Sequence, residues 1–177
     1  MKEIVQDGPG RAGAKVLREV AKPVPEELFG SDELARLIDD MAEELDKHPE
    51  GVALAAPQVG VSYRLFIVRK DRTVPLPEVA EDEALPAPVP KVELYINPEI
   101  IKTSRKRAEE DEGCLSIHGV YGTTSRHERV TISARHLDGT RFTRGAGGLM
   151  AQIFEHEMDH LNGILFTDHA VYLHQQQ

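Results

Sequence analysis

Apolar residues recur along this 177-residue chain with two periods, and those periods mark out its elements. Leu34, Ile38, Met41 and Leu45 stand three to four apart, which predicts an amphipathic helix ending near Lys47. Ser31 is placed to cap it, with Asp32 and Glu33 in the first turn. Towards the C-terminus, Leu149, Ile153, His156 and His160 form one helical stripe, and Met150, Phe154, Glu157 and Leu161 an adjacent one. Gly145 to Gly148 frees the backbone before this helix, and Asn162-Gly163 supplies its stop. Elsewhere the period is two. Val130, Ile132 and Ala134 alternate with Thr131, Ser133 and Arg135; Asp138-Gly139 is a hairpin turn, and residues 141–143 start the returning strand. The LFIV run before Arg69 reads as a strand, and residues 92–97 and 99–103 read as two strand candidates separated by Pro98.

Between these elements lie two irregular stretches. Residues 1–14 are Gly-rich and polar, a loop or loosely held arm. Residues 70–91 hold five of the 11 prolines with Glu78, Glu81, Asp82 and Glu83, an acidic exposed loop inserted in the domain. Neither flank of that loop can hold a core alone, so residues 1–177 are expected to form one domain. Strands mixed with two long helices and mostly antiparallel connections predict an α+β fold packed around the histidine-bearing helix.

Charge and cysteine usage narrow the partners. A net charge of −9 argues against nucleic-acid binding as the main business, although the charge is unevenly spread. No run approaches the roughly 20 apolar residues of a membrane span, and the N-terminus lacks an apolar leader. The cytoplasm is the expected location. One cysteine, Cys114, excludes an intramolecular disulfide. A lone cysteine is by default a small core residue.

The helix stripe carries chemistry. His156-Glu157-Met158-Asp159-His160 reads H-E-x-x-H, whose histidines share one helix face and can reach one metal ion together. Glu157 follows the first ligand, placed to take a proton from water. A surface helix with two chance histidines is the plain alternative, but both lie beside an apolar stripe, where imidazoles need polar partners. A catalytic site of this type takes three protein ligands. Cys114, in a Gly-flanked turn before a strand, is the obvious third; the chain's acids and His118 keep a His/His/carboxylate set open.

Three stretches in order resemble the signature motifs of the peptide deformylase family. GVALAAPQ (residues 51–58) is similar to its G-x-G-x-A-A-x-Q motif, EGCLS (112–116) matches E-G-C-L-S, and HEMDH (156–160) matches H-E-x-D-H. The likeness continues through VLREVAKPV, LIDDMAEEL, LFIV, INPEI and HLNGILF. It implies that Cys114, His156 and His160 hold a divalent metal, Fe²⁺ first, with Zn²⁺, Ni²⁺ or Co²⁺ as substitutes. It implies Glu157 as general base and then acid, and Gln58 with the Leu115 N–H as oxyanion donors. The reaction implied is removal of the formyl group from formyl-methionine on nascent polypeptides, by attack of a water that the metal activates. The expected partners are those nascent chains and the ribosome near its exit tunnel, with no nucleic-acid site and no membrane.

The chemistry of the residues agrees with this. Metal coordination brings a water's pKa toward neutrality, and a thiolate ligand suits Fe²⁺ while exposing the site to oxidation. A neutral amide and a backbone N–H are suitable donors to a developing oxyanion. Asp159 is read as the carboxylate that orients a ligand histidine. The substrate is expected to meet Gly51, Ala53 and Gly113, with Val52, Leu54 and Ile153 lining a methionine pocket. Glu112 would bind a substrate main-chain or amine group, or neutralise a nearby arginine.

The chain departs from the family pattern at three positions. Ala53 replaces the second glycine of the first motif, His118 stands where proline is usual, and Tyr121 where an arginine often grips the peptide. Retained chemistry with altered substrate recognition is the expectation. The alternatives are a paralogue acting on another N-formyl or N-acyl substrate, and a silent metal- or partner-binding member.

Overall fold

Side-chain alternation divides the larger sheet into two faces, and each face collects one helix. In the computed structural model, which describes residues 2–8, 14–73 and 92–175, the chain runs α1 (Asp32–Asp46), β1 (Ala53–Ala55), β2 (Leu65–Arg69), α2 (Lys70–Thr73), β3 (Val92–Thr103), β4 (Arg107–Cys114), β5 (Ile117–His127), β6 (Arg129–Arg135), β7 (Arg141–Gly147), α3 (Gly148–Leu161) and β8 (Tyr172–Gln175). Five strands form one sheet in the order β1-β2-β3-β6-β7, and three form another in the order β4-β5-β8. Every pairing within these two sheets is antiparallel among the described residues, as the α+β reading expects.

On one face of the five-stranded sheet, Leu54, Leu65, Ile67 and Ile96 pack with Leu34, Ile38, Met41 and Leu45 of α1. On the other, Ala53, Ala55, Phe66, Tyr95 and Ile132 pack with Ala151, Ile153, Phe154 and Met158 of α3. Phe66 stacks on Tyr95 at 4.7 Å, and Phe154 meets Tyr95 edge-on at 5.1 Å. Ser31 caps α1 as its sequence suggests, accepting from the Leu34 N–H. The Asp138-Gly139 turn joins β6 to β7, with Gly139 at φ +83°. On its sheet-facing side α3 touches β1, β6 and β7, and on its other side β5 of the smaller sheet. The H-E-x-x-H segment is therefore held between the two sheets.

Three expectations change. Pro98 does not split the strand: β3 runs through it, with a register shift between Ile96 and Glu99 and Asn97 in the left-handed region at φ +48°. A bulge absorbs the residue that cannot donate to the ladder. Residues 2–8 of the N-terminal arm are a loop but not a loosely held one, because the Val5 and Asp7 N–H groups bond to Gln58 and Ser116. Of the inserted loop, residues 70–73 form the short α2, and residues 74–91 lie outside the described residues. No helix among the described residues is long and apolar enough to cross a membrane.

Asn97 earns its place twice. Its carboxamide accepts from the Val24 N–H at 2.7 Å and donates to the Val24 carbonyl at 3.0 Å, while its backbone takes a conformation costly to other side chains. Asn97→Ala is expected to lower the unfolding free energy by about 2–4 kcal/mol. Asn97→Gly should lose about 1 kcal/mol less, since it keeps the backbone freedom. Urea denaturation at fixed metal occupancy measures both, and equal losses would show that the backbone conformation is immaterial.

Candidate metal centre and cleft

Three side chains converge where β4 ends against α3. Cys114 is the last residue of β4, and His156 and His160 lie one turn apart on α3. A ligand atom from each lies within 4.8 Å of the other two. Cys114 Sγ is 3.3 Å from His160 Nε2. Ligands about 2.3 and 2.1 Å from one tetrahedral ion would stand about 3.6 Å apart, so the set is close to a coordinating arrangement. Burial lowers the pKa of His160, with His156 next in effect, which favours the neutral ring that metals bind. The thiol completes a donor set suited to Zn²⁺ or Fe²⁺.

Glu157 is 3% exposed, and its Oε2 is a buried oxygen without a hydrogen-bond partner among the described residues. Such an atom is costly unless a ligand or water meets it. Burial, assisted by Glu112 and Asp159, pushes Glu157 up to about 7. Gln58, in the turn after β1, is 2% exposed and has a fixed orientation. Its Oε1 accepts from the Ala55 N–H at 2.9 Å, so its Nε2 is turned to Ser116 Oγ at 3.2 Å and Cys114 Sγ at 3.6 Å. Leu115 occupies the two-residue turn between β4 and β5, next to the thiol.

A buried ion pair positions the first histidine. Glu112 accepts from His156 Nδ1 at 2.8 Å, from Arg126 Nε at 2.5 Å and Nη2 at 3.0 Å, and from Thr124 Oγ1 at 2.6 Å. Burial opposes ionisation here, but the bonds from His156 and Arg126 outweigh it and hold Glu112 well below the usual carboxylate range. Both oxygens are thus taken within the protein. Of the two roles expected of Glu112, a substrate contact or the neutralisation of an arginine, the structure shows the second, and Glu112 also orients His156 so that its Nε2 is left for a metal ion. Asp159, expected to orient a ligand histidine, stands one step further out. It accepts from Arg126 at 2.8 Å and faces His169 at 3.1 Å. Sequence reasoning missed Arg126 and Thr124. Their signal was the alternation of Gly122, Thr124 and Arg126 on the buried face of β5, a pattern without apolar residues.

A cleft of about 840 Å³ opens beside these groups. Val52, Ala53 and Ile153 line it, and Ala53 sits in ordinary extended backbone. Leu54 does not belong there. Alternation along β1 turns it to the opposite face, fully buried with α1. Gly51 and Gly113 border the cleft for reasons of packing. A side chain at Gly51 would meet Leu115 at 2.8 Å, and one at Gly113 would meet the Tyr121 ring at 2.8 Å. Tyr121 also stacks on His174 of β8 at 5.9 Å, and His118 lines the same wall.

Comparison with known proteins places this geometry in a wider setting. A family model described as Polypeptide deformylase matches residues 1–176. The chain is 41% identical over 158 residues to the peptide deformylase of Salinibacter ruber, covering 89% of this chain and 76% of that protein. It is 42% identical over 161 residues to that of Halothermothrix orenii, covering 91% of each. Among solved structures, the peptide deformylase of Thermotoga maritima is similar with a TM-score of 0.77 and 31% identity, over 97% of this chain and 99% of that one. A Met-Ala-Ser-bound class I type b peptide deformylase from Acinetobacter baumannii is similar at TM-score 0.77 and 32% identity, over 94% and 96% of the two chains.

Neutralising Glu112 leaves the buried Arg126 guanidinium with Asp159 as its one remaining carboxylate among the described residues and loosens His156. Glu112→Gln should weaken metal binding by about 10–100-fold and lower stability by about 3–5 kcal/mol. Competition with a chelating dye and denaturation at saturating metal measure the two effects. Unchanged metal affinity would remove Glu112 from the site.

Proposed function

The chain belongs to the peptide deformylase family, enzymes that remove the formyl group from the N-terminus of nascent polypeptides, and from that premise we propose how its residues carry the reaction. The family is metal-dependent, and Cys114, His156 and His160 are the residues that would hold the ion, Fe²⁺ by preference. When bound, such an ion supplies Lewis-acid chemistry, bringing a water's pKa toward neutrality and polarising a carbonyl.

The chain's own residues do the rest. Glu157 accepts the proton of the attacking water and passes it to the leaving amine, so that formate and a free amino terminus result. Burial of the carboxylate favours its protonated form, which helps it hold a proton between those two events. Gln58 Nε2 and the Leu115 N–H donate to the carbonyl oxygen as it gains charge. The Ala55 N–H prevents the Gln58 amide from turning its oxygen inward. Glu112, backed by Arg126 and Thr124, keeps His156 in its ligating tautomer.

The methionine side chain enters between Val52 and Ile153, and the peptide extends along Tyr121. The tripeptide held by the similar Acinetobacter enzyme supports a chain of that length in this cleft. Ala53 narrows the approach by one methyl, and Tyr121 offers an aromatic surface where relatives often place a cation. Formyl-methionyl chains emerge at ribosomes, which puts the work in the cytoplasm near the exit tunnel. Residues 1–177 work as one domain in this scheme.

The observation that carries the reading is the buried, unpartnered Glu157 oxygen beside three convergent ligand atoms. Turnover of formyl-Met-Ala-Ser by anaerobically prepared, Fe²⁺-loaded protein tests it. Glu157→Ala should reduce kcat by at least about 10²-fold with the metal retained. Metal-loaded wild type that binds the peptide without turning it over would instead support the silent-member alternative.

A further inference from the structure

The described part of the N-terminal arm touches the site at both of its oxyanion-donor segments. The Val5 N–H donates to the Gln58 carbonyl at 2.7 Å. Gln6 Nε2 donates to the Leu115 carbonyl at 2.7 Å, and the Asp7 N–H donates to the Ser116 carbonyl at 2.8 Å. Gln6 itself borders the cleft. Asp7 is tied in turn to Arg18 at 3.0 Å, which reaches Asp168 just beyond α3 at 2.6 Å.

The two donor segments need such a tie. Gln58 sits in a single turn of 3₁₀ helix, and Leu115 in a two-residue turn. Neither is inside a strand or long helix that would fix it. Peptide units are planar, so holding the Leu115 and Ser116 carbonyls fixes the units that follow Leu115 Cα, while the unit that carries the Leu115 N–H is bounded on its other side by Cys114, paired with Ile117 at the end of β4. A donor displaced by a fraction of an ångström loses much of its effect on a developing charge.

We propose that residues 5–7 clamp the Gln58 and Leu115 segments in register, with Gln6 as a positioning residue for the oxyanion donors. The proposal rests on the reading that Gln58 and Leu115 supply those donors. Gln6→Leu keeps the side chain's bulk and removes the bond to Leu115. Glu3→Ala alters an exposed arm residue as a control, and Gln58→Leu removes a donor outright.

All three variants are compared with wild type as full-length, metal-loaded protein. Gln6→Leu should lower kcat about tenfold, with KM within about twofold. Bound metal, melting temperature and the thiolate absorption of the Co²⁺ form should stay as in wild type, and amide exchange at Leu115 and Ser116 should quicken. Glu3→Ala should match wild type. Unchanged kcat in Gln6→Leu, beside a large loss in Gln58→Leu, would overturn the clamp and leave the donor reading intact. A loss of kcat that only follows a loss of metal or melting temperature would also overturn it, as a general structural effect. Unchanged kcat in Gln58→Leu would overturn the donor reading itself.

Discussion

The Glu112–Arg126 pair is the contact on which the rest of the centre depends. It joins neighbouring strands of the smaller sheet, and through His156 it fastens that sheet to α3. A buried carboxylate and guanidinium each carry a large desolvation cost, which only close, fully hydrogen-bonded geometry offsets. Here Thr124, His156 and Asp159 complete that bonding. The pair is therefore weak evidence of extra stability and strong evidence of position. It fixes where β4 ends relative to α3, and so where Cys114 stands relative to the two histidines.

The larger sheet has a different task. Its apolar faces supply the burial that keeps α1 and α3 in place, with the Phe66, Tyr95 and Phe154 rings closing the space under the metal helix. Aromatic packing of this kind tolerates little displacement, because cores are as dense as organic crystals. Histidines on α3 thus sit on a rigid element, while the cysteine ends a strand and the two proposed donors come from turns. The division explains why the turns are tied at so many points: Gln58 by Ala55, and Leu115 and Ser116 by the arm.

What was legible in the sequence follows from how local each signal is. The α1 stripe with its Ser31 cap, the hairpin at Asp138-Gly139 and the α3 stripe are properties of neighbouring residues, and the structure bears them out. Spacing alone offered the two histidines and left the third ligand open between Cys114 and a carboxylate; the family resemblance favoured Cys114, and the structure brings its thiol to the two rings. Most of the β4–β5 hairpin was hidden, although a strand after the Cys114 turn was expected. RAEEDEGC and IHGVYGTTSRH have almost no apolar alternation, and they become strands through pairing with each other and with β8. The same non-locality hid the role of Glu112, whose partners lie 12, 14 and 44 residues away. Leu54 was misplaced because a motif read as a string has no faces, whereas a strand has two. Pro98 looked like a break because a ladder cannot use it, but a bulge needs no donor there.

The cleft wall shows why the departures from the family pattern fall together. Gly113 has no side chain to offer, and the Tyr121 ring lies in the space a side chain would take. Tyr121 in turn stacks on His174, from a strand that exists only by pairing with β5. An arginine at this position would carry a charge that must stay solvated, whereas a tyrosine ring can lie flat on backbone and an imidazole. The substitution therefore replaces a reaching cation with a fixed apolar wall backed by β8. Ala53, also on the cleft, adds a methyl from an extended strand that has no backbone need for glycine. Both positions line the cleft where a peptide would run, and neither is itself one of the proposed ligands, Glu157 or Gln58. In the proposed scheme recognition and chemistry thus fall to separate sets of residues, so that one set could change without disturbing the other.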